Sequence, residues 1–573
     1  MRIVERGAPT PQDPQSGTVR VAEGGRRRLP LFAPPTEIEI ETAVEVFSRQ
    51  HDEGSADAAH RVYRNLIPLE APGPGEQYAF QVDLDACTGC KACVVACHVM
   101  NGLDEGESFR TVGMLHGGAA EAPVRQTVTS ACHHCVEPAC QSGCPVGAYE
   151  KSPLTGIVKH LDDQCIGCQY CKLMCPYDVP KYNEARGIVR KCDMCSDRLA
   201  HGEEPACVAA CPNEAISIRA VAQTMAVAAA DAGVFLPGVA SPQVTLPSTV
   251  YRGAESMPSN LLPADFYHGK PGAWHVPLMF MLTLTQLSVG TFALSLVEAH
   301  VTPELARDTL LPTAFAAVVT LVALVASVFH LGRPALAWRA VLGIRTSWLS
   351  REALAFGLFF KVLLLSAAAS ACAHGGGLGR ALGALPFAAQ ASIALPALQL
   401  LTAALGIVGV YCSVMVYVAT RRSHWAAELT GLKFAGTTLL LGAASLLALR
   451  AFGSRAGDFA GDLHVLSGCV AVLAALKLGF EAALLRHARA RLHSARKQVA
   501  GMMLGPLRAV TRARFGAGVL GAALALALFS APLPASLIAP IAVIALLALG
   551  LGELTERGLF FSASPSSRMP GGA

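Results

Sequence analysis

The stretch "CIGCQYCKLMCP", residues 165–176, decides how this chain is read. It places Cys165, Cys168, Cys171 and Cys175 in a C-x2-C-x2-C-x3-C pattern closed by Pro176. "CTGCKACVVAC" at 87–97 repeats the pattern with Cys87, Cys90, Cys93 and Cys97. Two looser quartets follow the same logic, Cys132, Cys135, Cys140 and Cys144 before Pro145, and Cys192, Cys195, Cys207 and Cys211 before Pro212. Tight loops of this spacing let three thiolates converge on one cubane, and the last cysteine, carried off on the next helix, reaches a neighbouring cluster. Sixteen such thiolates predict four [4Fe-4S] clusters. Paired C-x2-C units also bind zinc, and cysteine-rich secreted domains form disulfides, but two pairs suffice for zinc and leave the third and fourth cysteines of each quartet unexplained. Cys372, Cys412 and Cys469 fall in apolar segments and are read as small hydrophobes.

Outside the quartets the chain has two halves. Of 573 residues, 52% are hydrophobic and 15% charged, well below the roughly 25% charged of an ordinary soluble protein. Residues 1 to about 270 hold most of the acidic side chains and the sixteen clustered cysteines, whereas the rest is Ala, Leu, Val and Gly in runs long enough to cross a bilayer. A net charge of +4 over this length gives no basis for nucleic-acid binding. No phosphate-binding loop, HExxH motif or nucleophile elbow occurs in the soluble half, which therefore looks like wiring, with His133, His134, Asp162 and Asp163 read as solvated or supporting groups. Residues 1–75 are expected to be a mostly disordered extension with a short helix near 37–49. Arg26, Arg27 and Arg28 precede Leu-Pro-Leu-Phe and prolines rather than an apolar h-region, so no cleavable signal is read there. Residues 219–272, rich in Pro, Ser and Gly, read as a linker, and 562–573 as a tail.

Residues 77–218, from "QYAFQVDLDACTGCKACVVAC" to "KCDMCSDRLAHGEEPACVAACPNEAI", resemble the four-cluster iron–sulfur subunit of the dimethyl sulfoxide reductase family of molybdopterin oxidoreductases. The resemblance implies a cross-paired ligand set. Cys87, Cys90 and Cys93 would share a cluster with Cys211, and Cys192, Cys195 and Cys207 with Cys97. Cys132, Cys135 and Cys140 would pair with Cys175, and Cys165, Cys168 and Cys171 with Cys144. His98, where the other quartets have proline, departs from the pattern at a turn and at no ligand.

From 275 onward, apolar windows recur at about 275–298, 311–331, 352–372, 392–419, 432–450, 464–485, 515–531 and 534–552, which predicts eight helices. The last two are joined only by "APLP", so reading them as one span is the chief risk to the count. The loops after helices two, four and six, on the side of the soluble domain, carry fifteen Lys and Arg against four on the other side. The positive-inside rule then places the iron–sulfur domain, residues 76–218, in the cytoplasm and the anchor, residues 273–561, in the inner membrane.

"WHVPLMFMLTLTQLSVGTF" at 274–292, "HLGRPALAWRAVLGIRTSWLSRE" at 330–352 and "GELTERGLFF" at 552–561 resemble the eight-helix membrane anchor of the same family. The fold class expected is thus an α+β double ferredoxin-like domain fused to an all-α transmembrane bundle. The resemblance implies a haem-free anchor that exchanges electrons with quinone at His330 and Glu352, and a separate molybdopterin catalytic subunit as partner. The residues agree. A b-haem needs histidines on facing helices at matching depth, yet His275 and His330 border one side and His464 the other. Taken without the resemblance, His330 is a helix cap and Glu352 a partner of Arg351 or Arg333. Lys361, Lys477 and Glu481 lie deeper and suggest either a proton path or internal pairing. The cytoplasmic orientation resembles the sulfite-oxidising branch of the family more than the sulfoxide-reducing one; a membrane ferredoxin without a molybdenum partner is the competing class.

Overall fold

The computed structural model describes residues 66–68, 70–267, 270–301, 309–374, 388–453, 460–564 and 569–570. The helix expected near 37–49 and most of the N-terminal extension lie outside the described residues. Its described end does join the domain: Leu66 and Ile67 are buried in the cluster that holds Cys93 and Cys97.

The soluble half is built on short strands joined by cysteine loops. β1 (Glu76–Asp83) buries Gln77, Tyr78, Ala79, Phe80 and Val82, so it is covered on both faces along its middle. It is followed by α1 (Ala92–Met100), β2 (Thr111–Gly118), β3 (Pro123–Ser130), α2 (Ala139–Ser142), β4 (Tyr149–Lys151), β5 (Val158–His160) and α3 (Tyr170–Met174). Then come β6 (Lys181–Asn183), β7 (Ile188–Arg190), α4 (Ser196–Leu199), α5 (Ala206–Ala209), β8 (Ile216–Ala222), α6 (Gln223–Asp231), β9 (Val250–Arg252) and β10 (Leu262–Pro263). Two three-stranded sheets, β8-β1-β9 and β10-β2-β3, and the hairpins β4-β5 and β6-β7 hold the loops between them.

The stretch expected as a linker is instead part of this domain. β8 runs on to Ala222, opposite Glu76, and β9 pairs parallel to β1 while β10 pairs with β2. Leu236, Thr245, Ser248, Tyr251 and Leu261 are buried, and Ser248 Oγ donates to the His133 carbonyl at 2.6 Å. Pro, Ser and Gly here serve a coil pinned by hydrogen bonds, which has no periodicity to read. The tail also returns, with Met569 buried against Val82 and Leu84.

Among the described residues the second half has eight helices long and apolar enough to span a bilayer. They are α7 (Val276–Val301), α8 (Leu310–Val328), α9 (Trp348–His374), α10 (Ala388–Val418), α11 (Ala427–Gly453), α12 (Ala460–Leu485), α14 (Arg508–Ser530) and α15 (Ala535–Ser562), with the short α13 (Ala495–Leu504) before α14. The closing pair forms two separate helices turned at residues 531–534, so the count of eight holds. α7 and α11 are the most enclosed, and they cross so closely that a side chain at Gly290 would overlap the Thr438 carbonyl. Buried hydroxyls on α7 are satisfied across helices, as where Ser288 Oγ donates to the Ala316 carbonyl at 2.8 Å.

The iron–sulfur domain docks on one end of this bundle. Gly343 N donates to the Pro145 carbonyl at 2.7 Å, Arg333 N to that of Ile166 at 3.1 Å, and Ser347 Oγ to that of Gly143 at 2.7 Å. Arg422 Nη2 reaches the Lys172 carbonyl at 3.1 Å, and Gln498 contacts the Phe266 carbonyl. The loops after α8, α10 and α12 therefore share the face that carries the soluble domain.

Candidate cysteine centres and the adjoining cavity

The sixteen clustered cysteines come together in four sets. Cys87, Cys90, Cys93 and Cys211 line one cavity, Cys132, Cys135, Cys140 and Cys175 a second, and Cys97, Cys192, Cys195 and Cys207 a third. Cys144, Cys165, Cys168 and Cys171 pack in one cluster with Ile166 and Tyr149. Each set draws three cysteines from one stretch and one from another, the grouping that the resemblance implied. The local cause is visible in the loops. Gly89 and Lys91, like Gly167 and Gln169, have positive φ, so the chain curls around the point where three side chains meet.

The donor chemistry suits thiolates bound to a metal cluster. Backbone N–H groups aim at sulfur, Ala148 N at Cys144 at 3.2 Å, Ala215 N at Cys211 at 3.3 Å, and Gly167 N at Cys165 and Met194 N at Cys192 at 3.4 Å. Burial pushes the Cys97 and Cys171 thiols up to about 12. Thiols buried this deeply ionise readily when a metal cation takes up the sulfur, as the iron of a cluster would. His133 and His134, expected to be solvated or supporting groups, are buried beside the cysteine sets: His133 Nδ1 lies 2.9 Å from Thr249 Oγ1, and His134 Nδ1 accepts from Val158 N at 3.0 Å.

Against the fourth set lies a cavity of about 290 Å³ between the 166–173 loop and the membrane helices. Its walls include Cys168, Tyr170 and Lys172 from the soluble domain and His275, His330, Glu352 and Tyr417 from the anchor. His330 and Glu352 thus share one chamber. The His330 ring hydrogen-bonds the Cys168 backbone, and burial lowers its basicity. The His275 and His330 rings meet edge-on with centroids 5.2 Å apart, and burial takes His275 down to about 4. Both imidazoles are neutral at pH 7.

Glu352 takes neither of the partners proposed for a structural role. Arg351 turns to the carbonyls of Ile344 and Arg345, and Arg333 to those of Asp162 and Cys165. Glu352 is 3% exposed and accepts a hydrogen bond from Ser413. His275, Tyr170, Lys172 and Ser413 were not singled out from sequence as parts of this site. The histidine bordering the first span was the available signal for it.

The deeper ionisable groups pair internally. Arg514 binds Glu481 at 2.8 Å and Glu553 at 3.0 Å, Lys477 contacts Glu553, and Glu556 lies 2.8 Å from Lys433 and 2.6 Å from Arg557. Lys361 is exposed on the outer surface of α9. His464 stacks on Phe529.

Comparison with known proteins agrees with this division. Residues 124–221 match the model of the 4Fe-4S dicluster domain, and residues 270–562 match that of the DMSO reductase anchor subunit (DmsC). The B subunit of the anaerobic dimethyl sulfoxide reductase of Escherichia coli is 40% identical over 148 residues, 24% of this chain and 72% of that protein. The thiosulfate reductase electron transfer subunit PhsB of Salmonella typhi is 41% identical over 143 residues, 24% of this chain and 74% of that protein. The formate dehydrogenase iron-sulfur subunit of Haemophilus influenzae is 34% identical over 152 residues, 24% of this chain and 49% of that protein. With a cysteine-bearing electron-transfer half and eight apolar helices in one polypeptide, the protein belongs to the DMSO reductase anchor subunit family, fused to an iron–sulfur subunit akin to the B subunit of that reductase.

Proposed function

We propose that this chain holds four [4Fe-4S] clusters on the sixteen cysteines and links a separate molybdopterin catalytic subunit to the membrane quinone pool. Each cluster would carry one electron at a time. The observation that carries the reading is the shared wall: Cys168 lines the same cavity as His330 and Glu352. At about 290 Å³ the chamber is close to the lower end of small-molecule sites, about 300–1,000 Å³, and suits a quinone ring whose tail stays among lipids. Neutral His275 can donate its N–H to a quinone oxygen, and His330, whose N–H is taken by the Cys168 carbonyl, can accept from a quinol hydroxyl. Buried Glu352, aligned by Ser413, takes the proton from a quinol hydroxyl or returns it to a quinone oxygen. Leu324, Val328 and Phe356 supply the apolar wall.

The basic loops on the docking face support a cytoplasmic iron–sulfur domain in the inner membrane, and with it a sulfite dehydrogenase-type complex delivering electrons to quinone. A reductase-type complex that oxidises menaquinol is the second reading, favoured by relatives named for dimethyl sulfoxide and thiosulfate reduction. Anaerobic purification from membranes tests both. The proposal expects about sixteen iron atoms in each polypeptide from the cubane assignment, together with a molybdenum-containing large subunit. Sulfite-driven quinone reduction favours the first reading, and quinol oxidation by a sulfoxide the second. Zinc in place of iron, or no molybdenum partner, overturns the proposal.

A further inference from the structure

Two buried cations lie among the cysteine sets, and neither has a carboxylate partner among the described residues. Arg110 is 1% exposed and lines the cavity of Cys97, Cys192, Cys195 and Cys207. Its Nη1 donates to Thr129 Oγ1 at 3.2 Å, and that hydroxyl lies 3.6 Å from Cys93 Sγ in the neighbouring set. Its Nε and Nη2 have no hydrogen-bond partner among the described residues, and its guanidinium lies 4.6 Å from the Phe80 ring centroid. A guanidinium stays charged even when buried, and one left with free donors in a dry site needs an anion nearby. Lys191 is 5% exposed and lines the cavity of Cys132, Cys135, Cys140 and Cys175. Its ammonium donates to Cys132 Sγ at 3.7 Å, to the Cys192 carbonyl at 2.8 Å and to the Val158 carbonyl. Three acceptors for three protons is the pattern of a charged lysine.

The order of the sets follows from these contacts. Arg110 stands between the Cys87 and Cys192 sets, and Lys191 between the Cys192 and Cys132 sets. The Cys165 set stands at the membrane, where the two cations beside it, Lys172 facing the quinone cavity and Arg333 donating to the Asp162 and Cys165 carbonyls, are only partly buried. Adding an electron to a cluster adds negative charge, so a fixed cation beside it favours the reduced form, more strongly in a low dielectric. We infer that Arg110 and Lys191 are fixed counter-charges at the two junctions of the three clusters furthest from the membrane, raising those clusters' reduction potentials and most of all that of the Cys192 cluster, which touches both. Electrons then rest on the outer part of the wire rather than beside the quinone. The inference rests on the four-cluster reading proposed above.

Potentiometric titration of the membrane-bound protein with dithionite, each cluster gaining one electron and read by electron paramagnetic resonance, tests it. Arg110→Gln should lower the midpoints of the Cys87 and Cys192 clusters, and Lys191→Gln those of the Cys192 and Cys132 clusters. A tenfold change in the reduced-to-oxidised ratio, about 59 mV for a one-electron couple, is the shift expected. The Cys165 cluster should not move in either variant, and Arg110→Lys should restore most of the loss. If a Gln variant fails to assemble its clusters, the unmutated protein still decides, because its highest midpoint must belong to the Cys192 cluster, assigned through Cys97→Ser. Unmoved midpoints, equal shifts in all four clusters, or a highest midpoint elsewhere would overturn the inference. Absence of four iron–sulfur signals from the unmutated protein would instead overturn the four-cluster reading.

Discussion

Gly332 offers the sharpest test of how the two halves are joined. It follows His330 by two residues and lies against the cluster loop, with its N–H donating to the Gly167 carbonyl at 3.4 Å and that of Arg333 to Ile166 at 3.1 Å. A Cβ at this position would overlap the Gly187 carbonyl oxygen and stand 2.6 Å from both Gly187 C and Tyr182 Oη. Gly187 is itself in a left-handed turn, and two of these three contacts are backbone, so neither side can yield by turning a side chain. In Gly332→Ala the two loops must part by roughly an ångström, with overpacking and two weakened hydrogen bonds together costing about 3–5 kcal/mol. The remaining contacts, Gly343 to Pro145, Ser347 to Gly143 and Arg422 to Lys172, keep the domain attached, so the parting is local to His330 and Cys168. A displacement of that size at a reacting centre lowers turnover on the order of 10²-fold. Quinol-linked turnover in membrane vesicles should fall by that factor, while iron content and reduction of the clusters by dithionite stay normal. Gly357→Ala is the control, since nothing lies within 4 Å of its added Cβ. Unchanged quinol turnover in Gly332→Ala, or an equal fall in the control, would show that this close approach does not set the geometry of the site.

Other outcomes follow from the same geometry. Glu352→Gln keeps shape and the Ser413 contact but removes the proton acceptor, so quinol turnover should drop about 10²–10⁴-fold with the clusters intact; a rate within twofold of the parent excludes Glu352 as the proton carrier. His275, held down near 4 against 6.5 unperturbed, is neutral in the folded chain, so its contribution is complete above pH 6.5 and disappears as pH falls toward 4. Thermal unfolding in detergent should therefore show up to about 3 kcal/mol of acid destabilisation across that window, flattened in His275→Gln. Arg514→Met strands Glu481 and part of Glu553 in the bundle and should cost about 3–5 kcal/mol, seen as a lowered melting temperature, with cluster potentials unmoved.

The proposed cluster ligation was most legible in two quartets, at Cys87 to Cys93 and Cys165 to Cys171, because three cysteines within seven residues are a local constraint that survives any tertiary arrangement. The cross-pairing of Cys97, Cys144, Cys175 and Cys211 could not, since it depends on how separate stretches pack, and it entered through resemblance. The quinone candidates show the same divide. His330 and Glu352 stand 22 positions apart across one loop, whereas Tyr170 and Ser413 reach the site from distant parts of the chain. Tyr170 is held there by its hydroxyl, which donates to the Val416 carbonyl at 2.9 Å. The false linker at 219–272 has a related cause. A coil fastened by Ser248 and Thr245 has the composition of a loose one, and only its partners, the His133 carbonyl and Cys135 Sγ, tell them apart.

The structure also changes what the arginine count means for orientation. Of the fifteen basic residues on the docking face, Arg333, Arg339, Arg421 and Arg422 donate to carbonyls of the iron–sulfur domain. Arg351 donates to the carbonyls of Ile344 and Arg345, while Lys433 and Arg514 sit in buried ion pairs. These seven would be needed on whichever side of the membrane the domain lay, so they say nothing about topology. The other eight are Arg345, Arg486, Arg489, Arg491, Arg496, Lys497, Arg508 and Arg512. On the opposite side Arg450 is bound to Glu298 at 2.8 Å, which leaves Arg307, Arg380 and Arg455, all outside the described residues. Eight against three still points the same way, and seven of the eight fall between residues 486 and 512. The proposed cytoplasmic placement therefore depends on the segment joining α12 to α14. Moving that one charge cluster, rather than the many arginines that grip the clusters' domain, is what would reverse the chain in the membrane.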